Sequence, residues 1–96
     1  MKLEINRKSD QTLIHQIANI LAERIRLGAL EEGSQLPSMR KFSKENQVSL
    51  VTVSKAYTLL EKIGYISLEH GKGAFVRKKN RRKVLQIRKL KIMIGN

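Results

Sequence analysis

The spacing of apolar residues changes from helical to alternating at Gly64, and this change restricts the folds that the chain can adopt. From residue 11 to Gly64, apolar residues recur every three or four positions, as in helices that bury one face. After Gly64, residues 65–69 (YISLE) and 74–78 (AFVRK) alternate as β-strands do, and residues 70–73 (HGKG) join them as a hairpin tip. The chain is therefore predicted to be mainly α with a small β-hairpin.

The first predicted helix covers residues 11–27. Asp10 is its predicted N-cap, because a carboxylate there accepts from the free N–H groups of the first turn, and Gly28 is expected to end it. Ahead of this helix, residues 2–6 (KLEIN) alternate and predict a short strand. One apolar stripe of the helix is expected to face the core: Leu13, Ile14, Ile17, Ile20, Leu21 and Ile25.

A second, short helix is predicted over residues 39–46, after a loop at residues 28–37. Ser38 is expected to cap it, and Phe42 is expected to be its main core residue, with Met39 beside it. Asn46 is expected to adopt the left-handed conformation that ends the helix.

The third predicted helix follows a tight turn, begins after its cap Ser49 and ends at Gly64. Two helices around a tight turn, followed by a hairpin, describe a winged helix-turn-helix whose second helix is the recognition helix. Its apolar positions are Val53, Ala56, Tyr57, Leu59, Leu60 and Ile63. The aromatic residues are predicted to be core residues and not base-stacking platforms: Phe42, Tyr57, Tyr65 and Phe75.

The net charge of +12 predicts a polyanionic partner. Nucleic acid is the first expectation, and an anionic membrane surface or an acidic protein are the alternatives. The chain has no cysteine, which excludes disulfides, thiolate nucleophiles and cysteine-based zinc sites and fits a cytoplasmic location. The N-terminus lacks the apolar stretch of a secretory signal, and no apolar run is long enough for a membrane span, so no membrane partner is predicted.

No residue pattern in the chain indicates catalysis or metal binding. The acidic residues Asp10, Glu31 and Glu32 have no histidine or serine partner at a recognisable spacing. His15 lies beside the apolar stripe, and the chain has one other histidine. We therefore predict no enzyme activity, no metal and no cofactor.

Three linked motifs carry a resemblance to a known family. They are G-x-x-LPS-x-R at residues 33–40, VS-x-x-TV-x-x-A-Y-x-x-L at residues 48–60, and GY-I…HGKG-x-FV at residues 64–76. In this order and spacing they resemble the DNA-binding domain of the GntR family of bacterial transcription regulators. The KLEIN segment and the short chain are most similar to the YtrA-like subgroup.

The resemblance implies a wing that enters the minor groove. Lys72, between Gly71 and Gly73, would then approach a phosphate or the groove floor, with His70 as a further donor. Glycine suits such a tip because it lacks a side chain and tolerates positive φ. The alternative is an ordinary glycine-rich hairpin with a solvated lysine.

The resemblance also implies a DNA-contacting arginine at Arg40, whose guanidinium can fork onto a phosphate or a guanine edge. The alternative is an arginine paired with Glu45 or with solvent. Ser38 is expected to act as a cap, as a phosphate ligand, or as both.

On the recognition helix, Ser49 and Thr52 suit phosphate contacts, and Lys55 can reach the backbone or a base. Their alternatives are a pure N-cap for Ser49 and a half-buried packing role for Thr52. Family members often carry basic residues at the positions of Leu50 and Ser54. We interpret Leu50 and Val51 as contacts to thymine methyl groups, which favours an A·T-rich site or recognition through DNA shape.

Residues 80–96 are predicted to form a basic amphipathic helical tail after a DNA-binding domain at residues 1–79. Residues 81–96 hold six basic residues and no acidic one. The tail is predicted either to pair with the same tail of a second subunit or to add non-specific phosphate affinity. Its apolar stripe comprises Val84, Ile87, Leu90 and Ile94.

The sequence thus predicts a dimeric, operator-binding transcription regulator, a repressor by family analogy, acting on a palindromic site in double-stranded DNA. The alternative is an architectural protein that binds DNA or RNA without choosing a site. No effector-binding domain is visible, so any effector is left open.

Overall fold

The computed structural model describes residues 1–77. It contains three helices and one hairpin, in the order α1 (Leu13–Arg26), α2 (Met39–Asn46), α3 (Leu50–Ile63), β1 (Ile66–Glu69) and β2 (Gly73–Val76). The predicted tail at residues 80–96 lies outside the described residues, and so does the last residue of the predicted AFVRK strand.

The start of α1 differs from the prediction. Thr12, and not Asp10, is the N-cap, and its hydroxyl accepts a hydrogen bond from the backbone N–H of His15 at 3.2 Å. Asp10 lies in a bend that follows a turn closed by the bond from the Ser9 N–H to the Asn6 carbonyl. The chain therefore reaches helical geometry two residues later than a cap at Asp10 would allow. Gly28, with φ of 82°, follows the end of α1 as predicted.

The caps of α2 and α3 were predicted correctly. The Ser38 hydroxyl accepts from the Lys41 N–H at 3.2 Å, and the Ser49 hydroxyl accepts from the Thr52 N–H at 3.1 Å. The left-handed residue between the two helices is Gln47, with φ of 52°, and not Asn46. The prediction for Asn46 was wrong because this residue stays helical and uses its buried side chain instead.

Residues 1–6 are extended but do not form the predicted strand. Leu3 is buried, as the alternation indicated, yet its N–H donates to Oδ1 of Asn46 at 2.7 Å. The Asn6 N–H donates to Oε1 of Gln16 at 2.9 Å. Because these backbone groups bond to side chains of the helices, the segment has no strand partner.

The hairpin is antiparallel, with a register that runs from Ile66 opposite Val76 to Glu69 opposite Gly73. The loop before α2 lies along the other side of β2. Its Leu36 N–H donates to the Ala74 carbonyl at 2.8 Å, and its Ser34 carbonyl accepts from the Val76 N–H at 2.8 Å. Both edges of β2 are therefore hydrogen-bonded, which fixes the wing against the helices.

The core lies between α1, α3 and the inner face of the hairpin. Phe42 and Tyr57 are fully buried and meet edge to face, with ring centroids 5.8 Å apart. Tyr65 is half-buried and packs at the margin of the core. Phe75 is also half-buried but belongs neither to the core nor to the residues packed against it, so its predicted core position was wrong. Ile63, predicted as a core position, is 48% exposed because it lies in the last turn of α3.

Candidate nucleic-acid interface

Two adjoining open grooves lie on one face of the molecule. The first, here called the helix groove, separates the start of α2 from α3 and is lined by Ser38, Met39, Arg40, Leu50, Val51, Ser54 and Lys55. The second, the wing groove, separates the start of α2 from the hairpin and includes residues 37–39 and 68–74 with Tyr57. Ser38 and Met39 line both, so the grooves form a continuous surface.

This surface brings together the residues that the sequence singled out, with two exceptions. Arg40, Leu50, Val51 and Lys55 line the helix groove, residues 70–73 line the wing groove, and Ser38 lies between them. Segments more than thirty positions apart in the chain thus contribute to one face.

The two exceptions are Ser49 and Thr52, which line neither groove. Their hydroxyl groups are hydrogen-bonded to each other at 2.8 Å, and Ser49 also caps α3. Thr52 is half-buried. The structure therefore contains the helix cap expected of Ser49 and the half-buried position expected of Thr52 under the alternative without DNA contact.

Arg40, Lys55 and Lys72 carry exposed positive charge along the surface. Glu45 was the alternative partner expected for Arg40. Its carboxylate instead accepts a hydrogen bond from the N-terminal ammonium of Met1 at 3.0 Å. Glu45 therefore has a partner other than Arg40. Arg40 is exposed beside the helix groove.

The wing tip depends on two glycines in the positive-φ region, Gly71 at 73° and Gly73 at 124°. Lys72, between them, is held through its main chain. Its N–H donates to the Glu69 carbonyl at 2.9 Å, and its carbonyl accepts from Nε2 of Gln35 at 3.0 Å. The Lys72 side chain is exposed, so the tip presents a charge on a fixed backbone.

Gln35 is a supporting residue that the sequence reasoning missed. Its side chain lies so close to the tip that a Cβ atom added at Gly73 would come within 2.6 Å of Nε2. Gln35 also forms a β-bridge with Phe75. A polar residue in a loop gives no local signal of a contact 37 positions away along the chain.

A hydrogen bond from Tyr57 on α3 fixes the residue that precedes the cap of α2. The phenol O–H donates to the Pro37 carbonyl at 2.8 Å, one residue before the cap Ser38. Burial raises the pKa of the Tyr57 phenol well above its usual value, because the phenolate would lose its hydration. Tyr57 is therefore a neutral donor, and its hydrogen bond holds Pro37 in place beside the two grooves.

The turn between α2 and α3 is fixed by the N-terminal segment. Nη2 of Arg7 donates to the carbonyl of Asn46 at 3.0 Å and to that of Gln47 at 2.9 Å. These carbonyls lie at the C-terminal end of α2, where a cation also meets the negative end of the helix dipole. The contact was not predicted, because nothing near Arg7 in the sequence indicates carbonyl partners about 40 positions away.

In the described residues, no group of histidine, cysteine and carboxylate side chains is arranged to hold a metal ion. The ring of His15 is hydrogen-bonded through Nδ1 to the hydroxyl of Thr12 at 2.7 Å. Within residues 1–77, no helix combines the length and the apolarity that a membrane crossing needs.

Three helices, a left-handed turn between the second and third, and a hairpin beside the third define a winged helix-turn-helix fold. Residues 13–76 match the family model described as bacterial regulatory proteins, gntR family, and the chain belongs to this family. It thus contains the DNA-binding domain of a transcription regulator, and the resemblance seen in the sequence motifs is confirmed.

Two curated relatives and one solved structure illustrate the similarity. The chain is 42% identical over 65 residues to the uncharacterized HTH-type transcriptional regulator YjiR of Escherichia coli (strain K12), covering 68% of this chain and 14% of that protein. It is 32% identical over 74 residues to the HTH-type transcriptional repressor STM4068 of Salmonella typhimurium, covering 77% of this chain and 31% of that protein. The chain therefore spans less than a third of the length of either relative.

The solved structure is YtrA from Sulfolobus acidocaldarius, a GntR-family transcription factor. It superposes with a TM-score of 0.84 at 28% identity, covering 98% of this chain and 84% of that one. This agrees with the similarity to the YtrA-like subgroup that the sequence indicated.

Proposed function

We propose that this chain binds a two-fold symmetric operator as a homodimer and represses transcription from it. One observation carries the proposal: the helix groove and the wing groove form one surface that contains most of the residues expected to contact DNA. In this proposal the N-terminal part of α3 enters the major groove and Lys72 reaches a phosphate or the adjacent minor groove.

The charges on this surface support the proposal. Arg40 lies beside the helix groove, Lys55 lies on α3, and Lys72 lies at the wing tip, so the three cations are distributed along the face. Such a distribution suits the phosphates that flank a groove and not a single anionic ligand. Ser38 and Ser49, both at helix N-termini, place backbone N–H groups where phosphates are favoured.

Dimerisation is proposed from the sequence of the tail. The apolar positions Val84, Ile87, Leu90 and Ile94 recur at three- and four-residue steps, the spacing of a helix that pairs through one face. Two subunits would present two recognition helices to half-sites about one helical turn apart. The repressor role is proposed from the relative of Salmonella typhimurium, which is named a repressor. A cytoplasmic location is proposed because the DNA target would be chromosomal.

The test is a selection from a pool of random duplexes at fixed, near-physiological salt. The expected result is an enriched motif with two-fold symmetry, whose half-sites lie about one helical turn apart. An enriched motif without symmetry would contradict the dimer. Binding without enrichment that falls steeply with salt would replace the proposal with the architectural alternative.

Repression itself needs a separate measurement. Transcription in vitro from a promoter that overlaps the selected motif should fall as the protein is added. A rise in transcript would identify an activator on the same operator.

A further inference from the structure

We infer that the helix groove recognises the 5-methyl groups of pyrimidines, through the side chains of Met39, Leu50 and Val51. The inference rests on the proposed function, because it concerns the chemistry that the same surface reads in the major groove. It extends the interpretation of Leu50 and Val51 drawn from the sequence, because Met39 joins them and the methyl group of 5-methylcytosine is recognised by the same contact as that of thymine.

The first argument is the exposure of two apolar residues at the start of α3. Leu50 is 41% exposed and Val51 is 63% exposed, although they occupy the first two positions of the helix. Leu27 and Ile63 are also exposed large apolar residues, but each lies at the end of its helix and outside the helix groove. Scattered exposed apolar residues are ordinary, whereas a group on a polar binding surface indicates a function.

The second argument is the composition of the groove. Met39 from α2 lines the helix groove together with Leu50 and Val51 from α3. Arg40 and Lys55 add positive charge to the lining, and Ser38 and Ser54 complete it. A groove lined by apolar and basic side chains is complementary to a DNA major groove in which the phosphates lie outside and methyl groups lie within.

The third argument is the chemistry of base edges. In the major groove, guanine, cytosine and adenine present hydrogen-bond donors or acceptors alone, and thymine adds a methyl group. An apolar side chain against a bare polar edge removes water from that edge and gives no bond in return. The same side chain against a methyl group buries apolar surface on both sides, which favours binding.

The test removes the methyl group and nothing else. In the duplex obtained by selection, each thymine is replaced singly by uracil, which keeps every hydrogen-bonding group, and affinity is measured by competition at fixed salt. We expect the affinity to fall about threefold to fivefold at one or two positions in each half-site, as the burial of one methyl group predicts.

A double variant connects the effect to the groove. In L50A/V51A the uracil substitutions should no longer weaken binding, since the methyl contact is already lost. The matched control is Ile63→Ala, an exposed apolar residue at the other end of the same helix, in which the uracil effect should persist unchanged. All variants change exposed positions, and their folding is checked by thermal unfolding.

A second substitution tests the same chemistry in the opposite direction. At the sensitive position, a cytosine·guanine pair is compared with its 5-methylcytosine form, and the methylated duplex should bind more tightly. Equal affinity of thymine and uracil duplexes, or a uracil effect that persists in L50A/V51A, would overturn methyl recognition while the operator proposal stands. Failure of the selection to give a motif is the distinct result that removes both.

Discussion

The side-chain amide of Asn46 is buried and links two segments of the chain. Oδ1 accepts from the Leu3 N–H at 2.7 Å, and Nδ2 donates to the carbonyls of Met1 at 2.9 Å and Phe42 at 3.0 Å. The next residue is Gln47, the left-handed residue of the turn before the recognition helix. The amide therefore holds the N-terminal segment on the same turn whose carbonyls bind Arg7.

Asn46→Ala should destabilise the fold by about 2–4 kcal/mol, because it leaves the Leu3 N–H and the Met1 carbonyl buried without partners. The measurement is urea unfolding with the slope compared between variants. Asn19→Ala is the control, since Asn19 is exposed on α1 and its loss should change the midpoint little. Equal midpoints for the two variants would mean that the N-terminal segment adds no stability.

At the scale of the element, the wing is a hairpin of two four-residue strands, and the shape of its tip depends on two glycines in different surroundings. Gly71 has φ of 73° and open space where a Cβ atom would lie. Gly73 has φ of 124°, and the same added atom would displace the side chain of Gln35. An alanine at Gly71 therefore introduces backbone strain alone, whereas an alanine at Gly73 introduces strain and also displaces the supporting side chain of Gln35.

Gly71→Ala should cost about 1–2 kcal/mol of stability, the strain of a left-handed residue. Gly73→Ala should cost more, about 2–3 kcal/mol, because its backbone is further from the allowed regions and the hydrogen bond from Gln35 to the Lys72 carbonyl is lost as well. Thermal unfolding of both variants and of Q35A checks the order. If Gly71→Ala were the more damaging change, support of the tip by Gln35 would be refuted.

The elements were largely predictable from the sequence, because their signals are local. Apolar spacing placed the three helices, the serines at 38 and 49 placed two caps, and the glycine at 64 placed the change to the hairpin. The errors arose where a distant group decided the outcome. Asn46 stays helical because it bonds to residues 1–3, and residues 2–6 are no strand because their backbone bonds to helix side chains.

Most of the residues predicted to contact DNA line the two grooves, but Ser49 and Thr52 do not, and the residues that support the surface were not predicted. Charged and glycine positions of the motifs identified Arg40, Lys55 and the wing tip. The roles of Gln35 and Arg7 were not predicted, because each side chain donates to a backbone carbonyl that is distant in the sequence. Met39 was assigned to the core alone, because periodicity does not show that a side chain at a helix start also lines a groove.

At the scale of the whole molecule, charge is distributed unevenly. Residues 1–77 hold twelve basic and eight acidic residues, and residues 78–96 hold eight basic residues and no acidic one. Under the proposed function, general attraction to DNA would draw strongly on the charge of residues 78–96, whereas the cations on the two grooves would orient the domain.

Lys72→Ala should weaken binding to all duplexes alike and lower the slope of log affinity against log salt by about 1 for each bound subunit. Lys62→Ala removes the same charge from an exposed position in the last turn of α3, outside both grooves. Its slope should equal that of the unchanged protein. Titrations at several salt concentrations compare the two, and identical slopes would show that net charge alone, and not the wing, governs affinity.

The main-chain support of the wing tip has a consequence for how such a domain can diverge. Both hydrogen bonds that fix Lys72 use its backbone N–H and carbonyl, and none requires the ammonium group. Position 72 therefore accepts other side chains without remodelling the hairpin. After gene duplication, two copies could differ in their overall affinity for DNA through this single codon while each retained a fully folded domain.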